Sequence, residues 1–137
     1  MEIKIAEYCG FCYGVKRAVE MAEKAAEEKV NGATLGPLIH NPQFIAELES
    51  KGIACKEDLQ DFTAGETVIF RSHGVGPEIY QKAEEMQLDI IDATCPNVRM
   101  AQKKAFQAAQ DGFYSVIVGE KNHPEVKSIK KWAGENA

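Results

Sequence analysis

Cys12, His40, His73, Cys95 and His123 are the side chains of this chain best suited to ligate a metal, hold an anion or move a proton. Each follows a short apolar, strand-like run and precedes a turn or helix. Cys12 follows Glu2–Tyr8, His40 follows Ala33–Leu35, His73 follows Thr67–Phe70, Cys95 follows Asp89–Asp92 and His123 follows Tyr114–Val118. In an α/β sheet the carboxyl ends of parallel strands line one rim, and ligands bind at that rim. Such residues at five successive strand ends are hard to explain as packing and point to a cofactor or anion site.

The loops that carry them add chemistry of their own. Cys9-Gly-Phe-Cys12 has the C-x-x-C spacing of thiol–disulfide exchange, and a helix start behind Cys12 favours its thiolate. Cys9 reads as a small buried filler, and Cys55, away from any strand rim, as core. His40-Asn41-Pro42 precedes a helix whose free N–H groups attract anions, although alone it reads as structural. Arg71-Ser-His-Gly-Val-Gly-Pro77 offers a cation, a hydroxyl, an imidazole and flexible glycines, enough to wrap a phosphate. Cys95 lies in Asp92-Ala-Thr-Cys-Pro96, where a thiolate could ligate iron or zinc. His123-Pro-Glu125, if extended, points an imidazole and a carboxylate to one side, one for an anion and one for a proton.

Strand–helix alternation must position these groups. Glu2–Tyr8 alternates apolar and charged residues, and Gly14–Lys29 carries apolar residues at helical spacing. Further helices are predicted from Asn41-Pro42 to Gly52, from Gly76-Pro77 to about Gln87, and over Asn97–Asp111. Strands are predicted at Ile53–Cys55, Thr67–Phe70 and Asp89–Asp92, and Phe113–Val118 reads as a fully buried one. The fold class is α/β, with mostly parallel sheets covered by helices. Ser128–Ala137 reads as the interior of a second α/β unit in which neither the next helix nor the next strand is completed.

Composition narrows the class. A net charge of −5 argues against a nucleic-acid footprint, with the lysines of Lys121–Lys131 a local, solvated exception. No apolar run approaches the length of a membrane helix, and no signal peptide is visible, so a cytoplasmic protein is expected. Its 4 cysteines are then thiols or metal ligands rather than a disulfide framework. Cysteine spacing alone does not choose between iron and zinc.

Five segments in order carry a resemblance: Gly10-Phe-Cys-Tyr-Gly-Val-Lys-Arg-Ala18, Gly36-Pro-Leu-Ile-His-Asn-Pro42, Arg71-Ser-His-Gly-Val75, Asp92-Ala-Thr-Cys-Pro96 and His123-Pro-Glu-Val126. With them the chain resembles the N-terminal portion of the IspH/LytB family of 4-hydroxy-3-methylbut-2-enyl diphosphate reductases. The resemblance implies a pseudo-threefold, three-domain α/β arrangement around a [4Fe-4S] cluster. Residues 1–13 would then be a strand and cluster loop, 14–95 a first α/β domain and 96–137 the start of a second. Cys12 and Cys95 match cluster ligands, with the third beyond Ala137. His40, His73 and His123 match residues that hold the substrate diphosphate, and Glu125 matches the acid that delivers protons. An allylic diphosphate would be reduced to isopentenyl and dimethylallyl diphosphates with electrons from a ferredoxin- or flavodoxin-type donor. Ser128 departs from the pattern, standing where glycine is common. Residues 1–137 alone are expected to be inactive. A thiol–disulfide enzyme and a non-catalytic phosphate- or metal-binding module are the competing classes; neither accounts for Cys95 and three histidines together.

Overall fold

A computed structural model describes residues 2–7 and 9–137. Helix α1 (Tyr13–Glu27) leads to strand β1 (Gly32–Leu35), helix α2 (Pro42–Ser50) and strand β2 (Ala54–Lys56). A short 3-10 turn (Leu59–Asp61), strand β3 (Thr67–Phe70), helix α3 (Pro77–Glu85) and strand β4 (Asp89–Asp92) complete the sheet region. Helices α4 (Pro96–Gln110) and α5 (Pro124–Ala133) follow and pack on each other.

The sheet is wholly parallel, in the order β2-β1-β3-β4. Side chains alternate across it as a pleated strand requires. On β3, Ile69 joins one core with Ala18, Ala22, Leu38, Phe44 and Leu48, beneath α1 and α2. Its neighbours Val68 and Phe70 join the opposite core with Leu35, Leu59, Phe62, Val75 and Ala83, beneath the 3-10 turn and α3. Buried on both faces, β3 reads as the continuous apolar run that parallel sheets need. The chain runs outward from β1 to β2, returns across β1 to β3 and continues to β4. The loops leaving adjacent β1 and β3 therefore diverge, which opens the crevice where parallel sheets bind ligands.

Two predicted strands are not formed. Residues 2–7 have no regular structure, with Ile3 and Ile5 exposed, and Tyr8 lies outside the described residues. Phe113–Val118 has none either, and Val116 and Val118 are 82% and 95% exposed rather than buried. A strand needs a neighbour to pair its N–H and C=O groups. Among the described residues this segment has two backbone hydrogen bonds, Phe113 N–H to the Ala108 carbonyl at 2.8 Å and Ser115 N–H to the Asn136 carbonyl at 2.7 Å, and neither partner is a strand. The helix expected to be incomplete after Val118 is formed, as α5. Cys9 is exposed rather than a buried filler, and Cys55 is half-buried on β2 rather than in the core.

Candidate functional site

Helix N-termini, more than strand ends, are what the five singled-out residues share. His40, His73 and Cys95 do follow strands β1, β3 and β4, whereas Cys12 and His123 follow irregular chain. Cys12 is the N-cap of α1, Cys95 the N-cap of α4 and His123 the N-cap of α5. His40 immediately precedes Asn41, the N-cap of α2, and His73 lies three residues before Gly76, the N-cap of α3. Proline opens α2, α3, α4 and α5, preset for the helical φ and lacking an N–H that would go unpaired there.

At Cys12 and Cys95 neither side chain caps its helix, so the first-turn N–H groups and the positive end of the dipole remain available to a thiolate. Both thiols are free. Cys95 Sγ lies against Gly14, in the space that a Cβ on Gly14 would fill, so the first turn of the Cys12 helix is shaped around the second cysteine. Arg17, one turn further along α1, donates to the Thr94 carbonyl at 3.2 Å and ties that helix to the Cys95 loop.

The Cys95 loop is in turn fastened to the histidines. Cys95 N–H donates to the Ser72 carbonyl at 2.9 Å, and Ser72 Oγ donates to the Leu38 carbonyl at 3.3 Å. Ser72 thus links the loops of Cys95, His73 and His40. Asn41 accepts from Phe44 N–H at 3.1 Å and fixes the start of α2 beside His40. A cavity of about 240 Å³, lined by Phe11, Val15, Ile39, His40, Asn41, Ser72 and His73, brings the neighbour of Cys12 opposite two of the histidines.

His40, His73 and His123 converge from three loops. Ring centroids are 4.7 Å apart for His40–His73, 5.5 Å for His73–His123 and 6.3 Å for His40–His123. One nitrogen of each lies within 4.8 Å of one from each of the others. His73 is half-buried, and its pKa is pushed down to about 4, first by burial and then by His40, Arg71 and His123. It is therefore neutral at pH 7. His123 Nδ1 accepts from Glu125 N–H at 3.3 Å, so the proton of the neutral ring sits on Nε2 as a donor. His123 and Glu125 are therefore not the extended pair expected from sequence; they occupy the cap and first turn of α5. The structure brings the three histidines together, seats Cys95 against the Cys12 helix and keeps Glu125 beside His123.

The LytB protein family model matches residues 3–137. The chain belongs to that family. It is 46% identical over 133 residues to the 4-hydroxy-3-methylbut-2-enyl diphosphate reductase of Geobacter sulfurreducens, covering 97% of this chain and 47% of that protein. It is 46% identical over 127 residues to the same-named protein of Aquifex aeolicus, covering 92% of this chain and 44% of that one. A solved structure of (E)-4-hydroxy-3-methyl-but-2-enyl diphosphate reductase, described as the terminal enzyme of the non-mevalonate pathway, superposes with a TM-score of 0.81 at 44% identity. It is matched over 95% of this chain and 46% of its own. The reductase of Plasmodium falciparum superposes with a TM-score of 0.87 at 34% identity, over 90% of this chain and 39% of its own. The chain thus spans just under half the length of the relatives it matches.

Gln102 and Trp132 are residues near the site that sequence reasoning passes over, and Ser128 is noticed there only as a departure from the family pattern. Gln102 and Ser128 are buried, and a polar residue inside a helix pattern carries no signal of burial until its neighbours are known.

Proposed function

We propose that this chain supplies part of the active site of an iron–sulfur reductase acting on (E)-4-hydroxy-3-methylbut-2-enyl diphosphate. The observation that carries this is the juxtaposition of two uncapped, helix-terminal cysteines, packed through Gly14, with a three-histidine cluster, joined through Ser72.

Cys12 and Cys95 would hold a [4Fe-4S] cluster as thiolates, and their environment fits: free thiols, open helix N-termini and a side-chain-free position at Gly14. A third cysteine ligand would come from outside residues 1–137. When bound, the cluster supplies electrons and Lewis acidity to the reacting end of the substrate. The chain's own residues do the rest. His40, His73 and His123 hold the diphosphate, His73 gaining its proton as the anion arrives, and the Nε2–H of His123 donates to a phosphate oxygen. Glu125, fixed by its position in the first turn of α5, gives the proton with which the allylic hydroxyl leaves as water. Two electrons and two protons then convert one substrate into water and isopentenyl or dimethylallyl diphosphate.

In this reading residues 14–95 are one α/β unit and 96–137 open a second within a pseudo-threefold enzyme. The enzyme is cytoplasmic, and a ferredoxin- or flavodoxin-type protein delivers the electrons. The test is anaerobic turnover by the full-length gene product with a reduced donor. Formation of both diphosphate products is expected. A cluster-loaded protein that leaves the substrate unchanged contradicts the proposal.

A further inference from the structure

We propose that Gln102, Ser128 and Trp132 are positioning residues that bolt helix α5 to the His73 loop and so set the spacing of the three-histidine anion seat. The inference rests on the reading of those histidines as an anion seat and adds what determines its geometry.

His73 and His123 belong to elements far apart in sequence, a loop after β3 and the cap of α5. Neither ring contacts the other's backbone through any hydrogen bond among those described. Something else must hold their centroids 5.5 Å apart. Gln102, on α4, is 2% exposed, and its amide donates to Ser128 Oγ at 2.5 Å. The same amide reaches the Val75 carbonyl at 3.5 Å, and Trp132 Nε1 donates to that carbonyl at 2.9 Å. Ser128 and Trp132 are four residues apart on α5, so one face of the helix makes both contacts. The Val75 carbonyl that Gln102 and Trp132 share lies two residues after His73. The cap and first turn of that helix are His123 and Glu125.

Gly74 is the wedge point. Its φ is +71°, and a Cβ there would strike the Gln102 amide and lie 3.2 Å from Ser128 Oγ. The backbone beside His73 is thus pressed against the Gln102–Ser128 hydrogen bond with nothing between them. The exposed Lys131–Glu78 ion pair, 3.2 Å long, joins α5 to α3 but contributes little, being screened by solvent. A short anion can engage His73 and His123 together only at a fixed spacing, and small misplacements of binding groups are costly.

The experiment uses the cluster-loaded full-length gene product and inorganic pyrophosphate as the probe, with Kd measured by calorimetry. Gln102→Leu and Ser128→Ala are expected to weaken pyrophosphate about tenfold, Ser128→Thr to restore binding, and all three to keep their iron. Ser128→Ala deletes a single oxygen and serves if Gln102→Leu does not fold. A merely structural role is separated by the His123→Asn background. There Gln102→Leu should have no further effect, because the group it positions is gone. Folded Gln102→Leu or Ser128→Ala protein with wild-type Kd, or the same tenfold loss persisting in His123→Asn, overturns the inference. Wild-type protein that binds no pyrophosphate overturns the anion seat itself, a distinct result.

Discussion

Cys95 Sγ occupies the space beside Gly14 where any other residue would carry its Cβ. The second cysteine is thereby seated against the first turn of the helix that Cys12 opens, and the glycine in Cys12-Tyr13-Gly14 is there for its missing side chain rather than for an unusual backbone. Gly14→Ala should therefore push the Cys95 sulfur away from the Cys12 helix. Iron and acid-labile sulfide after anaerobic reconstitution should fall well below wild type while the far-ultraviolet spectrum is kept. Full iron content in Gly14→Ala would show that the two cysteines do not share a site.

Cys12→Ser and Cys95→Ser should each lose the cluster, since a serine hydroxyl is a far poorer ligand for iron than a cysteine sulfur. Glu125→Gln should behave differently. It preserves the size of the side chain and the helix, so iron content and pyrophosphate affinity should stay near wild type, while turnover drops by about a hundredfold or more. A normal rate in Glu125→Gln would remove the proton-donor role.

His73 gives a pH signature of defined sign. In the folded protein burial keeps it neutral down to about pH 4, whereas unfolded it titrates near 6.5. Between those values the unfolded chain binds more protons, so this group makes stability rise with pH across that window and removes it again as pH falls. Pyrophosphate reverses the preference by favouring the imidazolium. Binding near pH 6.5 should therefore take up protons, read as a dependence of calorimetric enthalpy on buffer ionisation enthalpy. His73→Asn should reduce the uptake, and an unchanged uptake would assign those protons elsewhere.

Asn41 offers a local test of how the His40 loop is held. Asn41→Ala removes the cap on Phe44 N–H and should cost about 1 kcal/mol of stability. Pyrophosphate binding should weaken as well, because the released loop carries His40. Denaturant titration and calorimetry on the same protein check both effects.

The sheet was readable from sequence because its signals are local. Thr67–Phe70 and Asp89–Asp92 form strands at the predicted residues, and the helix-opening prolines after Asn41 and Gly76 place α2 and α3 correctly. The two missing strands, over residues 2–7 and 113–118, show the reverse. Their apolar alternation is a propensity, and propensity becomes a strand only where a neighbouring backbone supplies the other half of each hydrogen bond. The candidate site divides the same way. Its cysteines, histidines and Glu125 announce themselves by chemistry and motif. Gly14, Gln102 and Ser128 matter through contacts with residues 81, 27 and 26 positions away in the chain, which no local pattern encodes.

The most direct measurement is the visible absorption of the anaerobically purified full-length gene product, titrated with (E)-4-hydroxy-3-methylbut-2-enyl diphosphate. A brown chromophore that changes saturably is expected, with His73→Asn needing about tenfold more substrate to reach the same change. A protein without the chromophore, or one whose spectrum ignores the substrate, contradicts the claim that these cysteines and histidines form a single site.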